Sequence, residues 1–348
     1  MFGPYTPTLM AILTRRGFLK LAPRAFPAGA LRGEVAVVTG AAAGIGAALA
    51  RRCARDGAKA LVLADIAWDA PADDGDTASE SSGDPADPAS HPLVRECEAL
   101  GAEVLPLAVD VGDRAALQRM HDACVDAFGA PRLLFNNAGT GMPGVLSADE
   151  ASLRRSVDIN FWSVVDGMRL FIPTMEAAHG DGAGGGAPCY VVNTASLAGV
   201  SESTGLYGVT KHAVVAATES VASELAWRRS CVAAAALCPS YVNSDVVRTT
   251  ARAGLTGSAP AHLSEDEVAA ITEELAGLGT LVAGGMACDD VASCVFDGMA
   301  RGARYIYTDA GHTDAALMDR FEQMRAGGLF AGFKRRMEDV VAEALGRA

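Results

Sequence analysis

Basic residues are in deficit along this chain of 348: 29 Lys and Arg stand against 42 Asp and Glu, a net charge of −13. Neutralising a nucleic-acid backbone takes a concentrated basic face, so that class of partner is excluded. Long apolar runs are missing too. No uninterrupted stretch approaches the roughly 18 residues of a membrane-spanning helix, although half of the residues are hydrophobic and suffice for a large core. Cysteines stand at 53, 97, 124, 189, 231, 238, 288 and 294, mostly in apolar segments, and no two form a Cys-x-x-Cys pair. They read as buried, reduced thiols of a cytosol-like compartment. The six histidines are scattered without the spacing of metal ligands. No internal repeat is present.

Charge is distributed unevenly. Residues 1–33 carry Arg15, Arg16, Lys20, Arg24 and Arg32 and no acid. Residues 1–30 read as a basic leader or disordered tail ahead of a domain over 31–328. Thr14-Arg15-Arg16-Gly17-Phe18-Leu19-Lys20 resembles a twin-arginine signal, with Ala28-Gly29-Ala30 as a cleavage-like site. Pro23, Arg24 and Pro27 interrupt the apolar run such a signal needs, and a mitochondrial or other organelle leader is the alternative to a cytoplasmic chain. Residues 67–92 hold Asp69, Asp73, Asp74, Asp76, Glu80, Asp84 and Asp87 with no Lys or Arg. That segment has no apolar periodicity and is expected to be a disordered acidic insertion.

Elsewhere strand-length and helix-length patterns alternate. Apolar runs fall at Val35–Val38, Ala60–Ala64, Val104–Val109, Leu133–Phe135, Tyr190–Val192 and Val232–Leu237. Helical patterns cover Gly44–Asp56, Asp113–Phe128, Ala148–Ala178 and Leu206–Arg229. Strands apolar on both faces imply a parallel sheet covered on both sides. The expectation is an α/β fold, a doubly wound Rossmann-like parallel sheet in a single domain, with ligands at the carboxyl ends of the strands. A C-terminal elaboration follows: helices at Ser264–Leu278 and Asp289–Arg301, a strand over Arg304–Thr308, and an amphipathic helix within 329–348. That last helix, over Phe330–Leu345, puts Phe333, Met337, Val340, Val341 and Ala344 on one face.

Two motifs carry chemistry. Thr39-Gly40-Ala41-Ala42-Ala43-Gly44-Ile45-Gly46 sits where a strand hands over to a helix. Glycines there allow a tight turn and let a pyrophosphate approach backbone N–H groups at the helix N-terminus. Asp65 ends the second strand, 19 residues past Gly46. A carboxylate at that place accepts from ribose hydroxyls and repels a 2′-phosphate, so NAD is expected over NADP. Much later, Tyr207 and Lys211 stand at i and i+4 and share a helix face. A phenol ordinarily ionises near pH 10; bringing it to neutrality takes about 4 kcal/mol for roughly three units, which a neighbouring ammonium and a cationic nicotinamide ring can supply.

Together these residues resemble the short-chain dehydrogenase/reductase family, in its simple rather than extended branch, over residues 31–245. The resemblance implies an oxidoreductase that moves hydride between a nicotinamide cofactor and a secondary alcohol or ketone. It assigns catalysis to Asn160, Ser196, Tyr207 and Lys211, with Tyr207 as general acid and base, Ser196 orienting substrate and Asn160 supporting a relay to the lysine. Cofactor contacts follow at Thr39, Gly40, Gly44, Ile45, Gly46, Asp65, Asp110, Val111, Asn137, Ala138, Gly139, Tyr207, Lys211, Pro239, Val242 and Ser244. Asp110-Val111 would bracket the adenine, and Asn136-Asn137-Ala138-Gly139 would steady the sheet beside the cofactor.

Two departures stand out. Ser240 replaces the family's glycine and Ser244 its threonine in Cys238-Pro239-Ser240-Tyr241-Val242-Asn243-Ser244. Ser196 and Tyr207 are 11 residues apart, a shorter interval than the family's usual one, which reshapes the substrate cleft. Candidate cleft walls, Met142, Val145, Leu146, Leu197, Leu206 and Tyr241, are largely apolar, and the expected substrate is a small-molecule alcohol or carbonyl compound. The family also implies a homodimer or homotetramer. A non-catalytic NAD-binding sensor or scaffold on the same fold is the competing reading, since fold alone does not fix function.

Overall fold

The computed structural model describes residues 24–69, 88–141, 145, 149–180, 187–203, 205–244, 280 and 282–326. Seven parallel strands form one sheet in the order β3-β2-β1-β4-β5-β6-β7. They are β1 (Val35–Thr39), β2 (Ala60–Asp65), β3 (Glu103–Ala108), β4 (Leu133–Asn136), β5 (Cys189–Thr194), β6 (Val232–Cys238) and β7 (Tyr305–Tyr307). The order reverses direction between β1 and β4, which opens a crevice at the carboxyl ends of those two strands.

Helices cover both faces because the central strands are apolar on both. One layer holds α1 (Gly44–Arg55), α2 (Pro92–Ala99) and α7 (Cys288–Ala300), with Leu49, Cys53, Cys97 and Val295 packed onto Val38, Leu61 and Leu63. The other holds α3 (Arg114–Phe128), α5 (Ser163–His179) and α6 (Gly205–Trp227), where Phe171, Met175 and Val214 meet Val37, Val62 and Val191. Cys53, Cys97, Cys124, Cys189 and Cys238 are buried thiols within these layers. β3 runs along the sheet edge and is only half-buried, so its Pro106 removes no ladder bond that the sheet needs.

The expected helix over Ala148–Ala178 is α4 (Glu150–Val157) running into α5 through a π turn at Asp158–Trp162. Asp149 starts it by accepting from Ser152 N at 2.9 Å. Arg229, in the left-handed region at φ 54°, stops the chain just past α6.

The ends of the acidic segment contradict the reading of 67–92 as disordered. Ile66–Asp69 forms a 3₁₀ turn that buries Trp68 at 6% exposure. Pro88–Ser90 forms another, and His91 Nδ1 accepts from Leu93 N at 3.2 Å to cap α2, which opens with Pro92. The acids dominate the composition of the stretch and conceal the apolar trio Leu93, Val94 and Cys97 just beyond it. Residues 70–87 lie outside the described residues.

The leader boundary shifts as well. Phe26 is 4% exposed, meets Tyr190 edge-on with centroids 6.2 Å apart, and its N–H donates to Met299 O at 2.8 Å. Residues 24–30 are therefore part of the domain, and a cut at Ala28–Ala30 would remove a core side chain. The candidate helices at Ser264–Leu278 and Phe330–Leu345, and residues 1–23, lie outside the described residues. The final described helix is α8 (Ala310–Ala326).

Candidate active site

The crevice floor is built on backbone geometry. Gly40 and Gly44 take φ of +65° and +57°, a region costly for any residue with a Cβ. A Cβ on Gly46 would fall 1.9 Å from Gly40 O and 2.8 Å from Asn137 Nδ2. The turn and α1 are thus in direct backbone contact, and no side chain caps the α1 N-terminus. Thr39, buried behind the turn, accepts through Oγ1 from Asn137 N at 2.9 Å and Ala138 N at 3.1 Å. Asn137 Nδ2 donates back to Thr39 O at 3.1 Å and Gly40 O at 3.3 Å. Ile45 is half-buried beside them.

Asp65 reaches the same place from β2. Its Oδ2 accepts from Ala42 N at 2.9 Å and its Oδ1 from Ala67 N at 2.8 Å. It therefore caps a turn and also tethers the glycine turn, and each oxygen keeps a further lone pair. Asp110 lies after β3 with both oxygens 2.7 Å from Arg155 Nη2, while Val111 is buried. The sequence reading missed Arg155, which approaches Gly112 so closely that a Cβ there would meet its Nη1 at 2.0 Å.

Across the crevice, Leu197 N donates to Pro239 O at 2.7 Å and Ser240 N to Thr308 Oγ1 at 3.0 Å, so the threonine side chain steadies the turn where the family's glycine is absent. Val242 is buried and pairs with Met286. Ser244 closes on the glycine turn, its Cβ lying 3.6 Å from where a Gly44 Cβ would sit.

The catalytic candidates converge at the carboxyl ends of β4 and β5. Ser196 follows β5, and its hydroxyl lies near enough to the Tyr207 phenol, at the start of α6, to lower the phenol's pKa. Ser196 Oγ also accepts from Ala198 N at 3.1 Å. Lys211, one turn beyond the tyrosine and 4% exposed, places Nζ 5.6 Å from the phenol ring centroid and donates to Thr194 O at 2.8 Å. Asn160, fully buried on the π turn, exchanges two 2.8 Å bonds with the backbone of Thr140. Its Nδ2 also donates to Thr210 Oγ1 at 3.3 Å, next to the lysine. A Cβ on Gly139 would lie 3.2 Å from Asn160 Oδ1 and 3.4 Å from Lys211 Nζ, so glycine keeps that approach open.

Burial sets the protonation states. It pushes the Tyr207 phenol up, against a smaller lowering by the Ser196 hydrogen bond. It pulls the Lys211 ammonium down to about 8, offset slightly by Cys238. The expected lowering of the phenol calls on the ammonium together with a cationic nicotinamide ring; in the protein by itself the ammonium donates to a carbonyl, and desolvation of the phenolate is the larger influence.

Sequence reasoning named Asn136 as part of a sheet-steadying element but missed its partners Asn193 and Thr218 in a buried polar ladder behind the site. Asn136 Nδ2 donates to Asn193 Oδ1 at 2.8 Å, and Asn193 Nδ2 to Thr218 Oγ1 at 2.9 Å, tying β4, β5 and α6 together. An asparagine in the otherwise apolar β5 run was the available signal. Of the expected cleft walls, Leu206 is buried, Leu197 and Tyr241 are half-buried, Val145 is exposed, and Met142 and Leu146 lie outside the described residues. A polar group was missed among them: one Glu202 carboxylate oxygen is buried without a hydrogen-bond partner among the described residues.

A family model described as short chain dehydrogenase matches residues 34–74 and 83–254. Among curated proteins, the chain is 32% identical over 246 residues to 1-deoxy-11-beta-hydroxypentalenate dehydrogenase of Streptomyces avermitilis, covering 69% of this chain and 79% of that one. It is 30% identical over 221 residues to human 15-hydroxyprostaglandin dehydrogenase [NAD(+)], covering 63% and 72%. Among solved structures, a short chain dehydrogenase/reductase from Burkholderia phymatum in complex with NAD superposes with a TM-score of 0.70 at 30% identity, covering 86% of this chain and 96% of that one.

Proposed function

The chain belongs to the short-chain dehydrogenase family and is an oxidoreductase of hydroxyl and carbonyl groups; within that frame we propose that it interconverts a secondary alcohol and its ketone with NAD, using Tyr207 as the acid–base group. The observation that carries this is the convergence of Ser196, Tyr207, Lys211 and Asn160 beside the glycine turn.

The residues present fit a dinucleotide. Gly40 and Gly44 at positive φ shape the turn at the α1 N-terminus, and Gly46, whose Cβ would stand 1.9 Å from Gly40 O, lets α1 pack directly beneath it. Thr39, Gly40, Gly44, Ile45 and Gly46 would hold the pyrophosphate end, Asp65 the adenosine ribose, and Asp110 and Val111 the adenine. Asn137, Ala138, Gly139, Pro239, Val242 and Ser244 would flank the nicotinamide end. When bound, the nicotinamide supplies the two-electron acceptor or donor. Ser196 would hold the substrate oxygen within reach of the phenol. In ketone reduction the protonated Tyr207 gives that oxygen its proton; in alcohol oxidation Tyr207 must first lose its own and then take the substrate's. Lys211 would favour that ionised phenol and hold the nicotinamide ribose.

NAD is preferred in this reading because Asp65 presents a carboxylate where a 2′-phosphate would lie. The human relative is named for NAD(+), and the Burkholderia structure holds NAD, which supports the same choice. Both named curated relatives act on hydroxylated compounds, in line with a secondary alcohol substrate. Buried thiols support a reducing, cytoplasmic setting. Trp162 and Val209, exposed at 49% and 58% on the α5–α6 side, support assembly as a homodimer or homotetramer. Mixing the protein with NAD and a panel of secondary alcohols, and following nicotinamide absorbance, tests the proposal. Cofactor binding without turnover of any alcohol or ketone, in either direction, would replace it with the sensor reading.

A further inference from the structure

The interval between Ser196 and Tyr207 is short, and the loop across it is pressed onto α6. A Cβ on Gly199 would fall 2.7 Å from Lys211 O, and one on Gly208 would fall 2.4 Å from Ser203 Oγ. Leu197 O accepts from Val200 N at 3.0 Å, Ser201 N at 2.9 Å and Ser201 Oγ at 2.9 Å, making the first half of the loop a compact turn. The turn's own hydrogen bonds do not tie its midpoint, Ser201, to the rest of the molecule.

A long-range contact does so. Arg320 on α8 donates through Nη1 to Ser201 O at 2.7 Å, from 119 residues further along the chain. The same nitrogen meets His212 Nε2, and His212 Nδ1 lies 2.8 Å from Gly208 O. With its proton on Nδ1, His212 donates to Gly208 O and accepts from Arg320 at Nε2. That tautomer is neutral, and burial, with the nearby arginine adding to it, lowers the His212 pKa in agreement. Gly208 follows Tyr207 directly, and Ser201 lies midway between the two catalytic hydroxyls. No carboxylate pairs with Arg320 within 4.0 Å among the described residues, and its Nη1 contacts are with the loop and the histidine.

We propose that Arg320, acting through His212 and the Ser201 carbonyl, is a positioning residue that sets the Ser196–Tyr207 loop and thereby the distance between the two hydroxyls that act on substrate. The proposal rests on the catalytic reading above. It makes docking of the C-terminal helix α8 a condition for turnover while leaving the cofactor cradle, built from β1, β2 and β4, untouched. A displacement of about 1 Å between reacting groups costs on the order of a hundredfold in rate.

The test compares Arg320→Leu, Arg320→Lys, His212→Leu and the Leu–Leu double variant. Three readouts are used: steady-state kinetics, NADH affinity by fluorescence, and hydrogen exchange of amides 197–206. Arg320→Leu should lower kcat at least about tenfold, change NADH affinity less than about twofold, and speed exchange across 197–206 by about tenfold or more. His212→Leu should act in the same sense, the double variant should be no worse than the poorer single one, and Arg320→Lys should recover most of the loss. Unchanged exchange in the loop, losses that multiply in the double variant, or NADH affinity falling in step with kcat would each overturn it. If Arg320→Leu fails to fold, Arg320→Lys and His212→Leu carry the same comparison. The exchange measurement needs no turnover, so failure of the clamp is distinguishable from failure of the proposed reaction.

Discussion

Replacing Asp65 with Asn tests the cofactor assignment at constant shape. The carboxylate now accepts from two backbone N–H groups, Ala42 at 2.9 Å and Ala67 at 2.8 Å, one on each oxygen. An amide has one oxygen, so its NH₂ must face one of those donors. Leaving a partly buried donor unmatched costs about 1–3 kcal/mol, and the tether between the glycine turn and β2 loosens. Asn also lacks the charge that would hold the ribose diol, a hydrogen bond of roughly 1.5–3 kcal/mol when charge-assisted. Removing it should weaken NAD in kcat/KM by about tenfold to a hundredfold. NADP should lose less, because repulsion of its 2′-phosphate disappears together with the attraction. Adding Ile66→Arg, at a side chain already 55% exposed, supplies a cation for that phosphate without disturbing the core. Measured kcat/KM for both cofactors across parent, single and double variants gives the ratio directly. A parent enzyme that already favours NADP, or a ratio unchanged within twofold in both variants, would refute the reasoning.

Four further outcomes are expected. Tyr207→Phe should reduce turnover by about 10²–10⁴-fold while NADH affinity holds, since only the proton-transfer group is lost; single-turnover kinetics with a reactive alcohol checks it. Lys211→Met should change the pH dependence of stability: the native lysine sits near 8 against an ordinary 10.5, so the unfolded chain binds the extra proton and wild-type stability climbs between about pH 8 and 10. That rise, on the order of 3 kcal/mol, should vanish in urea titrations of the variant. Gly46→Ala should abolish NADH binding, because its Cβ would stand 1.9 Å from Gly40 O and the turn must open; retained affinity in a fluorescence titration would contradict the close packing. Phe26→Ala should lower stability by about 3–5 kcal/mol in chemical denaturation, whereas an inert leader would leave it unchanged.

The periodic elements were legible because their signals are local. Apolar runs and glycine positions specify β1, the turn after it and α1, and the structure differs from those bounds by a residue or so. Helix α2 was hidden although its Pro92 and capping His91 are local signals too, because the acids before it dominate the composition of that stretch. The π turn at Asp158–Trp162 leaves no mark in the pattern, since a single wider turn alters the apolar spacing too little to see. The catalytic residues could be named from motifs, yet their protonation could not. Whether Lys211 lowers the phenol depends on where Nζ points, and it points to Thr194 O.

By itself the sequence determined the sheet's parallel winding, the glycine cradle and the Tyr207–Lys211 face, because each depends on residues within one or two turns of one another. The tertiary structure alone decided which distant groups complete them. Asn193 meets Asn136 on one side and Thr218 on the other only once β4, β5 and α6 are packed. Phe26 becomes core only against Tyr190 and Met299. Arg320 reaches Ser201 only after α8 docks against the loop that precedes α6. Such contacts follow from the summed packing of every layer, and no spacing along the chain encodes a distance between residues 119 positions apart.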